Sequence, residues 1–321
     1  MSRLLPILAA ATGLSERDVM NIVSTAPSRY KVYAIPKRNG DARIVSQPAR
    51  EVKVLQRIIV TEILEKLPIH PSAKAYRKGV SITDNARSHA GDGPILKFDF
   101  KNFFPSIVAQ DWRAYCERMS VFDDFEDVQI SALLLFRRTE AARSLRLAIG
   151  APSSPCLSNI LLYEFDNAIC AAMQSEQVRY TRYADDLTFS ARRTGFLNHV
   201  EEKIRRVIRA IKSPSLELNE EKTVMATRKY KRVVTGLVLT NDGSVSVGHE
   251  RKRAVRAGLH HAMLNRLSAT QLAALSGSLA FIQSVEPGFV SRMEARYGSN
   301  LMERVKAAPR LIEDLDESYE D

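Results

Sequence analysis

The feature that most constrains how this chain folds is a pair of adjacent acids, Asp185 and Asp186, between two short β-prone runs. The runs 178–183 and 187–190 flank the acids so closely that they predict a tight β-hairpin with the acids at its tip. Neighbouring carboxylates repel and raise each other's pKa. A hard divalent cation such as Mg²⁺, which prefers oxygen ligands, relieves this repulsion. For an acid pair taken alone, a solvated turn remains the alternative.

A third acid ends another candidate strand, far upstream. Asp99 follows the apolar run 95–98, where a buried carboxylate is costly unless it is paired or bound to a metal. Together with the hairpin acids it could complete a two-metal site. In such a site one ion activates an attacking hydroxyl and the other steadies a leaving pyrophosphate. Residue spacing alone goes no further than this hypothesis.

The charge balance favours a polyanionic partner. Lys and Arg total 47 against 37 Asp and Glu, which gives a formal net charge of +10 and a pI near 9.6. The excess is concentrated between Lys222 and Arg256, where nine basic residues face two acids. Phosphate contacts made by such residues release counterions, so nucleic acid is the predicted partner. A protein that is basic without binding nucleic acid is the alternative.

Cysteine usage and hydropathy indicate a cytoplasmic protein without a membrane partner. The three cysteines, Cys116, Cys156 and Cys170, form no Cys-x-x-Cys pair, so neither a disulfide framework nor a zinc site is predicted. No apolar run approaches the roughly 20 residues that span a bilayer. The apolar stretch Leu4–Ala11 is short and is interrupted by Pro6, so no cleaved signal peptide is expected.

Local patterns predict strands mixed with helices, followed by a helical C-terminal part. Capping boxes at Ser15 and Ser268 indicate helix starts, and Asn241-Asp242-Gly243 indicates a hairpin turn. The predicted helices cover 52–67, 112–119, 128–136, 157–173, 199–211, 250–267, 270–284 and a short segment from Pro287 to Gly298. The predicted strands cover 30–35, 42–46, 95–98, 178–183, 187–190, 233–240 and 244–247. We predict an α+β body with a small helical C-terminal lobe and an acidic tail from Ala307 that is solvated or frayed.

Five sequence blocks, in one order, resemble the reverse transcriptase family. Tyr183–Asp186, with the run Leu96–Phe104 upstream, is similar to the two acidic motifs of the family's palm. The other three blocks are the hairpin with Lys37 and Arg43, the run Gly150–Pro155 and the run Leu218–Lys222. An ordered set of this kind is specific, and the similarity extends roughly over residues 27–300.

Within the family, the similarity is greatest to bacterial retron reverse transcriptases. Asn85–His89 matches their Asn-Ala-x-x-His element, and Val234–Gly236 matches their Val-Thr-Gly element. One departure is Ile149, where most reverse transcriptases have Gln before the glycine that corresponds to Gly150. The departure leaves fidelity and nucleotide affinity open. Polymerase activity is still expected, because some retron enzymes also lack the glutamine at this position.

The resemblance implies a right-hand polymerase with an antiparallel palm sheet like that of an RNA-recognition motif (RRM) and a mostly helical thumb. Fingers and palm would occupy 1–235 and the thumb 236–321, with no RNase H domain after it. The three acids would bind two Mg²⁺ ions, with the carbonyl of Phe100 as a further ligand. Lys222 would donate a proton to the leaving pyrophosphate. A plain surface lysine is the alternative for Lys222.

The resemblance also implies a binding site for deoxynucleoside triphosphates (dNTPs). Lys37 and Arg43 would clamp the triphosphate, and Gly150 would line the pocket. Phe104 would be a steric gate that excludes a 2′-hydroxyl. Without the family, Phe104 would be a core aromatic and the two hairpin cations would be solvated.

Candidate RNA-binding residues lie in two basic runs of the C-terminal part and in the Asn-Ala-x-x-His element. A solvated helix face is the alternative for the basic runs, and a structural, loop-holding histidine is the alternative for His89. The candidates are Arg228, Lys229, Lys231, Arg232, Arg251, Lys252, Arg253, Arg256, Asn85 and His89.

For a retron enzyme, the resemblance implies a dedicated structured non-coding RNA as both template and primer. Synthesis would begin at the 2′-hydroxyl of an internal guanosine and yield branched multicopy single-stranded DNA (msDNA). It further implies anti-phage defence with a separately encoded effector, in the nearest subgroup an ATPase with an HNH nuclease. The alternatives are a non-retron bacterial reverse transcriptase and a scaffold that holds RNA and an effector, with polymerisation secondary.

Overall fold

The protein is described by a computed structural model that covers residues 2–36, 40–139, 142–174 and 177–317. None of the helices within these ranges is long and apolar enough to cross a bilayer. The helices are α1 (Leu4–Thr12), α2 (Glu16–Thr25), α3 (Arg50–Glu62), α4 (Ile82–Ala90), α5 (Phe103–Ser106), α6 (Ala109–Met119), α7 (Phe125–Leu135), α8 (Ser154–Leu161), α9 (Tyr163–Gln174), α10 (Val200–Ala210), α11 (His249–Met263), α12 (Ala269–Val285), α13 (Pro287–Tyr297) and α14 (Ser299–Glu317).

The strands form small sheets, among them a four-stranded sheet in the order β6-β7-β3-β8 and a three-stranded sheet in the order β11-β10-β9. Two further hairpins pair β1 with β2 and β4 with β5. The strands are β1 (Tyr30–Pro36), β2 (Ala42–Pro48), β3 (Ile95–Asp99), β4 (Arg137–Thr139), β5 (Ala142–Arg146), β6 (Arg179–Tyr183), β7 (Asp186–Ser190), β8 (Val224–Ala226), β9 (Arg232–Val234), β10 (Leu237–Leu239) and β11 (Val245–Ser246).

The chain divides into two compact units, which differ from the predicted division at residue 235. The first unit comprises Met1–Ser81 and Gly93–Met225, and the second comprises Ile82–Asp92 and Ala226–Asp321. The second unit therefore includes α4 and β9, which the sequence placed with the fingers and palm. This arrangement is non-local, because α4 precedes the rest of its unit by more than a hundred residues, and local patterns do not reveal it.

In the first unit the core lies against the four-stranded sheet. β3 and β7 pair antiparallel, as do β6 and β7, and their apolar side chains meet in an edge-to-face contact between Phe98 and Phe189 at 5.9 Å. Ser15 caps α2 by accepting a hydrogen bond from the Asp18 N–H, as predicted. The predicted helix 157–173 is instead two helices, since the helical geometry is interrupted at Leu162 between α8 and α9.

In the second unit α4 packs against the three-stranded sheet. The predicted strand 233–240 is instead the hairpin β9–β10, because Thr235 and Gly236 both have positive φ, as a two-residue type I′ turn requires. The Thr235 hydroxyl donates to the carbonyl of Ile82 at 3.0 Å, which ties the Val-Thr-Gly element to the start of α4. Helices α11–α14 follow. Helix α14 extends to Glu317, so the backbone is helical over most of the end that the sequence predicts to be solvated or frayed.

Candidate active site

The hairpin predicted around the two acids forms from β6 and β7. In its register Tyr183 faces Asp186, which leaves Ala184 and Asp185 as the turn. Ala184 has a φ of 57°, a left-handed conformation that costs about 1–2 kcal/mol for a residue with a Cβ atom. The turn therefore has a backbone shape that its surroundings must stabilise.

Asp99 joins the two acids because β3 pairs with β7. Asp99 is the direct cross-strand partner of Asp186, and the N–H of Phe100 donates to the carbonyl of Asp185 at 3.1 Å. The buried ring of Phe100 stacks on Phe103 with a centroid separation of 5.8 Å, which holds the end of β3 in place. The structure thus brings the three predicted acids together at one end of the sheet.

The three acids concentrate negative charge in a partly buried site. Burial raises the pKa of Asp185 to about 6, and the charges of Asp99 and Asp186 add to the shift. Burial is also the main reason why the pKa of Asp186 is raised. Both shifts mean that the site disfavours the ionised carboxylates, and a divalent cation would reverse them. The donor set therefore fits the hard, oxygen-seeking ion predicted from the sequence.

Lys222 reaches the same acids. Its Nζ donates to Asp99 Oδ1 at 2.7 Å. Partial burial acts to lower the pKa of Lys222, but the hydrogen bond and the neighbouring carboxylates raise it overall, so the ammonium stays protonated at neutral pH. The segment that carries it is attached to β3, since the Asn219 N–H donates to the carbonyl of Asp99 at 2.8 Å. Among the residues that the structure describes, no three acidic, histidine or cysteine side chains surround a common metal position.

A fully buried ion pair supports the turn. Arg182 contacts Asp166 at 2.7 Å, and neither side chain is exposed. Arg182 also donates to the carbonyl of Ala184 at 3.2 Å and to Asn159 Oδ1 at 3.0 Å, while the Tyr180 hydroxyl donates to Asp166 at 2.7 Å. Such hydrogen bonds offset the desolvation of the two charges. The sequence analysis did not single out this network, although Arg182 and Tyr180 share one face of a predicted strand.

Tyr76, which the sequence analysis did not single out, lies near both the predicted steric gate, Phe104, and one of the acids, Asp185. Its ring lies 6.4 Å from that of the half-buried Phe104. Burial and then the charge of Asp185 raise the pKa of the Tyr76 phenol, whereas Arg43 acts to lower it. Tyr76 is therefore within electrostatic range of both Asp185, a predicted catalytic acid, and Arg43 of the predicted triphosphate clamp. The other predicted clamp residue, Lys37, lies outside the described residues.

Gly150 packs against β2, the strand that carries Arg43. The carbonyl of Ile149 accepts a hydrogen bond from the Ser46 N–H at 2.7 Å. A Cβ atom at Gly150 would lie 2.9 Å from Val45 Cγ1 and 3.2 Å from the Ser46 carbonyl oxygen, and the φ of Gly150 is 112°. Only glycine fits both the backbone conformation and the close approach. A predicted pocket residue thus also positions the hairpin.

We expect Gly150→Ala to raise the KM for dNTPs and to lower the free energy of unfolding by about 1–3 kcal/mol, the range for overpacking. The added methyl group would push β2, and Arg43 with it, away from its present position. Steady-state kinetics and urea unfolding measure the two effects. Gly195→Ala is the matched control, because Gly195 has no neighbour within 4 Å and no positive φ. An unchanged KM in Gly150→Ala would contradict the proposed coupling.

The basic residues of the second unit divide into exposed and internally used groups. Arg228, Lys229 and Lys231 are exposed, as expected of an RNA-binding surface. Arg232 was predicted to bind RNA, but it is only 1% exposed. It donates to the carbonyls of Asp92 and Thr240. The prediction for Arg232 was therefore wrong, because its buried guanidinium donates to backbone carbonyls of its own unit.

On α11, Arg251, Arg253 and Arg256 are exposed. Arg251 and Arg256 lie over the rings of Phe281 and Phe289, respectively, at 4.8 and 5.4 Å from the ring centroids. The fourth predicted residue, Lys252, forms an ion pair with Glu286 at 2.6 Å, and its side chain is only 17% exposed. Lys252 therefore serves the packing of this unit, which differs from the predicted RNA contact.

Asn85 and His89 were also predicted to contact RNA. Both lie on α4, and neither has any exposed surface. RNA cannot reach them in this arrangement, so this prediction was wrong, and a structural role for His89 is the interpretation that the geometry supports. Ala86, between them, is also buried, whereas Arg87 is exposed, so the two named residues of the element lie on the packed face of α4.

Comparisons with known proteins agree with the family resemblance that the sequence motifs indicated. Residues 35–248 match the family described as reverse transcriptase (RNA-dependent DNA polymerase). The Retron Ec83 reverse transcriptase of Escherichia coli is 33% identical over 90% of this chain and 93% of its own length. The Retron Ec86 reverse transcriptase of the same species is 32% identical over 93% of this chain and 92% of its own length. The Retron Mx65 reverse transcriptase of Myxococcus xanthus is 30% identical over 90% of this chain and 70% of its own length.

Proposed function

Because the chain belongs to the reverse transcriptase family and, within it, to the bacterial retron enzymes, we propose that Asp99, Asp185 and Asp186 catalyse its DNA synthesis on a structured RNA. The chain is an RNA-directed DNA polymerase of a retron. The observation that supports this site is the pairing of Asp99 with Asp186 beside the Asp185 turn. It unites carboxylates from distant segments at one partly buried place.

The three carboxylates would hold the metal ions, with the carbonyl of Phe100 as a further ligand. When bound, two Mg²⁺ ions would activate the attacking hydroxyl and neutralise the leaving pyrophosphate. Lys222 holds a proton at Nζ next to Asp99 and would transfer it to the pyrophosphate oxygen. Arg43, and Lys37 on the same hairpin, would orient the triphosphate before reaction.

Phe104 would select the sugar of the incoming nucleotide. Its ring packs on Phe103 at 5.3 Å and lies near Tyr76, so its position is held from two sides. A fixed ring below the sugar leaves no room for a 2′-hydroxyl and excludes ribonucleotides (rNTPs). Gly150 would line the same pocket through its contact with β2.

Replacing Phe104 by Val is expected to lower the ratio of kcat/KM for dNTP to kcat/KM for rNTP by about 10-fold or more, the scale for a steric contact. The smaller side chain would admit the 2′-hydroxyl, and some dNTP use would remain. Parallel single-nucleotide incorporation assays give the ratio. Phe136→Leu is the control, since Phe136 is buried in the core of the same unit and its loss should reduce stability without changing the ratio. If Phe104→Val leaves the ratio unchanged, Phe104 is a core residue.

The exposed basic residues of the second unit would bind the RNA. The described candidates with free access to solvent are Arg228, Lys229, Lys231, Arg251, Arg253 and Arg256. They belong to the segment with the strongest basic excess in the sequence. Guanidinium and ammonium groups on an exposed loop and helix contact phosphates and give salt-dependent affinity. This unit would act as the thumb, and the first unit as fingers and palm with an RRM-like sheet.

The retron similarity supports the finer steps of the proposal. The template and primer would be one cognate non-coding RNA, extended from the 2′-hydroxyl of an internal guanosine to give branched msDNA. The complex would act in anti-phage defence with a separately encoded effector, an ATPase with an HNH nuclease. Similarity to the named retron enzymes over about nine-tenths of the chain favours this over a non-retron reverse transcriptase.

Extension of the RNA that copurifies with the protein tests the proposal. The purified complex is incubated with Mg²⁺ and labelled dNTPs, and the product is sized before and after ribonuclease treatment. A label that is joined to RNA at first, and leaves a single DNA strand with a small RNA remnant after digestion, supports the retron reaction. Incorporation only on an added primer favours another reverse transcriptase. Stable RNA binding without any incorporation favours a scaffold.

A further inference from the structure

Tyr230 is a large aromatic side chain that the fold leaves in solvent. It lies in the loop between β8 and β9, and 72% of it is exposed. Its sequence neighbours Arg228, Lys229 and Lys231 are exposed cations. A single exposed aromatic ring is common on protein surfaces, and what distinguishes Tyr230 is that exposed cations flank it on both sides.

The loop is anchored at its base, so the ring is presented from a fixed backbone. The Tyr230 N–H donates to the carbonyl of Thr227 at 2.9 Å, which closes a tight turn. At the end of the loop, the buried Arg232 donates to the carbonyls of Asp92 at 2.6 Å and Thr240 at 2.9 Å. A held backbone reduces the entropy that the loop loses when it binds a ligand.

We propose that Tyr230 stacks on an unpaired base of the bound RNA while Arg228, Lys229 and Lys231 contact the flanking phosphates. This rests on the proposed function, since it names the class of RNA that the second unit recognises. Aromatic rings beside cations bind single strands because every base has a π-face and every nucleotide carries a phosphate. The bases of a continuous RNA duplex are already stacked on each other, and its deep major groove is closed to side chains. The ligand class is therefore a loop, bulge or single-stranded end.

Phe125 provides a natural comparison. It is also 72% exposed, but it begins α7 between Asp123, Asp124, Glu126 and Asp127. Carboxylates at this density repel phosphates, so an equally exposed aromatic there is not expected to contact RNA. The two residues share their exposure and differ in the charge that surrounds them, which makes Phe125→Ala the matched control for Tyr230→Ala.

The experiment measures the affinity of the full chain for a 12-nucleotide single-stranded RNA and for a blunt RNA duplex at several salt concentrations. For Tyr230→Ala, we expect single-strand affinity to fall by about 5- to 150-fold, the range for loss of one stacked base. The slope of log affinity against log salt should not change, because no charge is lost. Tyr230→Phe should retain the affinity. Lys229→Ala with Lys231→Ala should instead flatten the slope, by roughly 0.7 for each lost phosphate contact.

The outcomes separate the inference from the proposed function. If wild type binds the single strand and Tyr230→Ala binds it equally well, the stacking inference fails and RNA binding by the unit stands. An equal loss of duplex and single-strand affinity would also overturn stacking, because it would indicate a general loss of the surface. If wild type binds neither probe and copurifies with no RNA, both ideas fail. A selective single-strand loss in Tyr230→Ala, with Phe125→Ala unchanged, supports the inference.

Discussion

Asp185→Asn is expected to reduce RNA-templated DNA synthesis at least about 100-fold, the scale for losing one group that stabilises charge in a transition state. Asn keeps the size of the side chain but removes the charge that a metal ion would require. Asp99→Asn and Asp186→Asn should have similar effects, because Asp99 pairs with Asp186 directly beside the Asp185 turn. Primer extension on an RNA template with Mg²⁺ measures the rate.

Two controls make this result specific to the site. Glu217→Gln removes one negative charge from an exposed side chain that pairs with Lys101 at 3.0 Å, and it should leave the rate unchanged. RNA binding by Asp185→Asn should also persist, since removing a negative charge near phosphates does not weaken their attraction to the protein. A rate near that of wild type in Asp185→Asn would refute the catalytic assignment.

Asp166→Ala is expected to lower the free energy of unfolding by about 3–5 kcal/mol, the cost of leaving one buried charge without its partner. Arg182 would keep its charge in a place with no solvent exposure. The turn that carries Asp185 should loosen as well, because Arg182 also holds the carbonyl of Ala184. Urea denaturation followed by circular dichroism measures the loss of stability.

The surface pair Arg206–Glu202 is the control for this prediction. The side chains of Arg206 and Glu202 are 71% and 63% exposed, and Arg206 Nη2 lies 2.9 Å from Glu202 Oε1. Glu202→Ala should therefore change the free energy of unfolding by less than about 1 kcal/mol. Replacing both buried partners, as Asp166→Leu with Arg182→Met, should recover much of the loss, since no charge is then stranded. An Asp166→Ala variant as stable as Glu202→Ala would show that the buried pair is unimportant.

Local patterns predicted those parts of the fold whose causes are local. The Asp185 turn, the Asn241–Gly243 hairpin and the caps at Ser15 and Ser268 each depend on a few adjacent residues. That the three acids lie together could be put forward as a hypothesis from their places at strand ends, and the resemblance to reverse transcriptases supported it. The Val233–Thr240 strand was wrong because positive φ at Thr235, a β-branched residue, is uncommon and carries no clear sequence signal.

Features that depend on distant contacts could not be predicted in the same way. Tyr76 and the Arg182–Asp166 pair acquire their roles only when separate segments pack together. Arg232 and Lys252 are basic residues in a basic segment, and only burial distinguishes them from their exposed neighbours. Composition thus identified a basic unit correctly but could not identify which of its cations are free to bind a polyanion.

The most direct test of the account is to sequence the nucleic acid that copurifies with the protein from cells that encode it, for wild type and for the variant with Asp185→Asn and Asp186→Asn. We expect one dominant structured RNA covalently joined to single-stranded DNA in the wild type. In the variant we expect the same RNA without DNA, because binding and chemistry use different residues. Equal amounts of joined DNA in both samples, or no RNA in either, would contradict it.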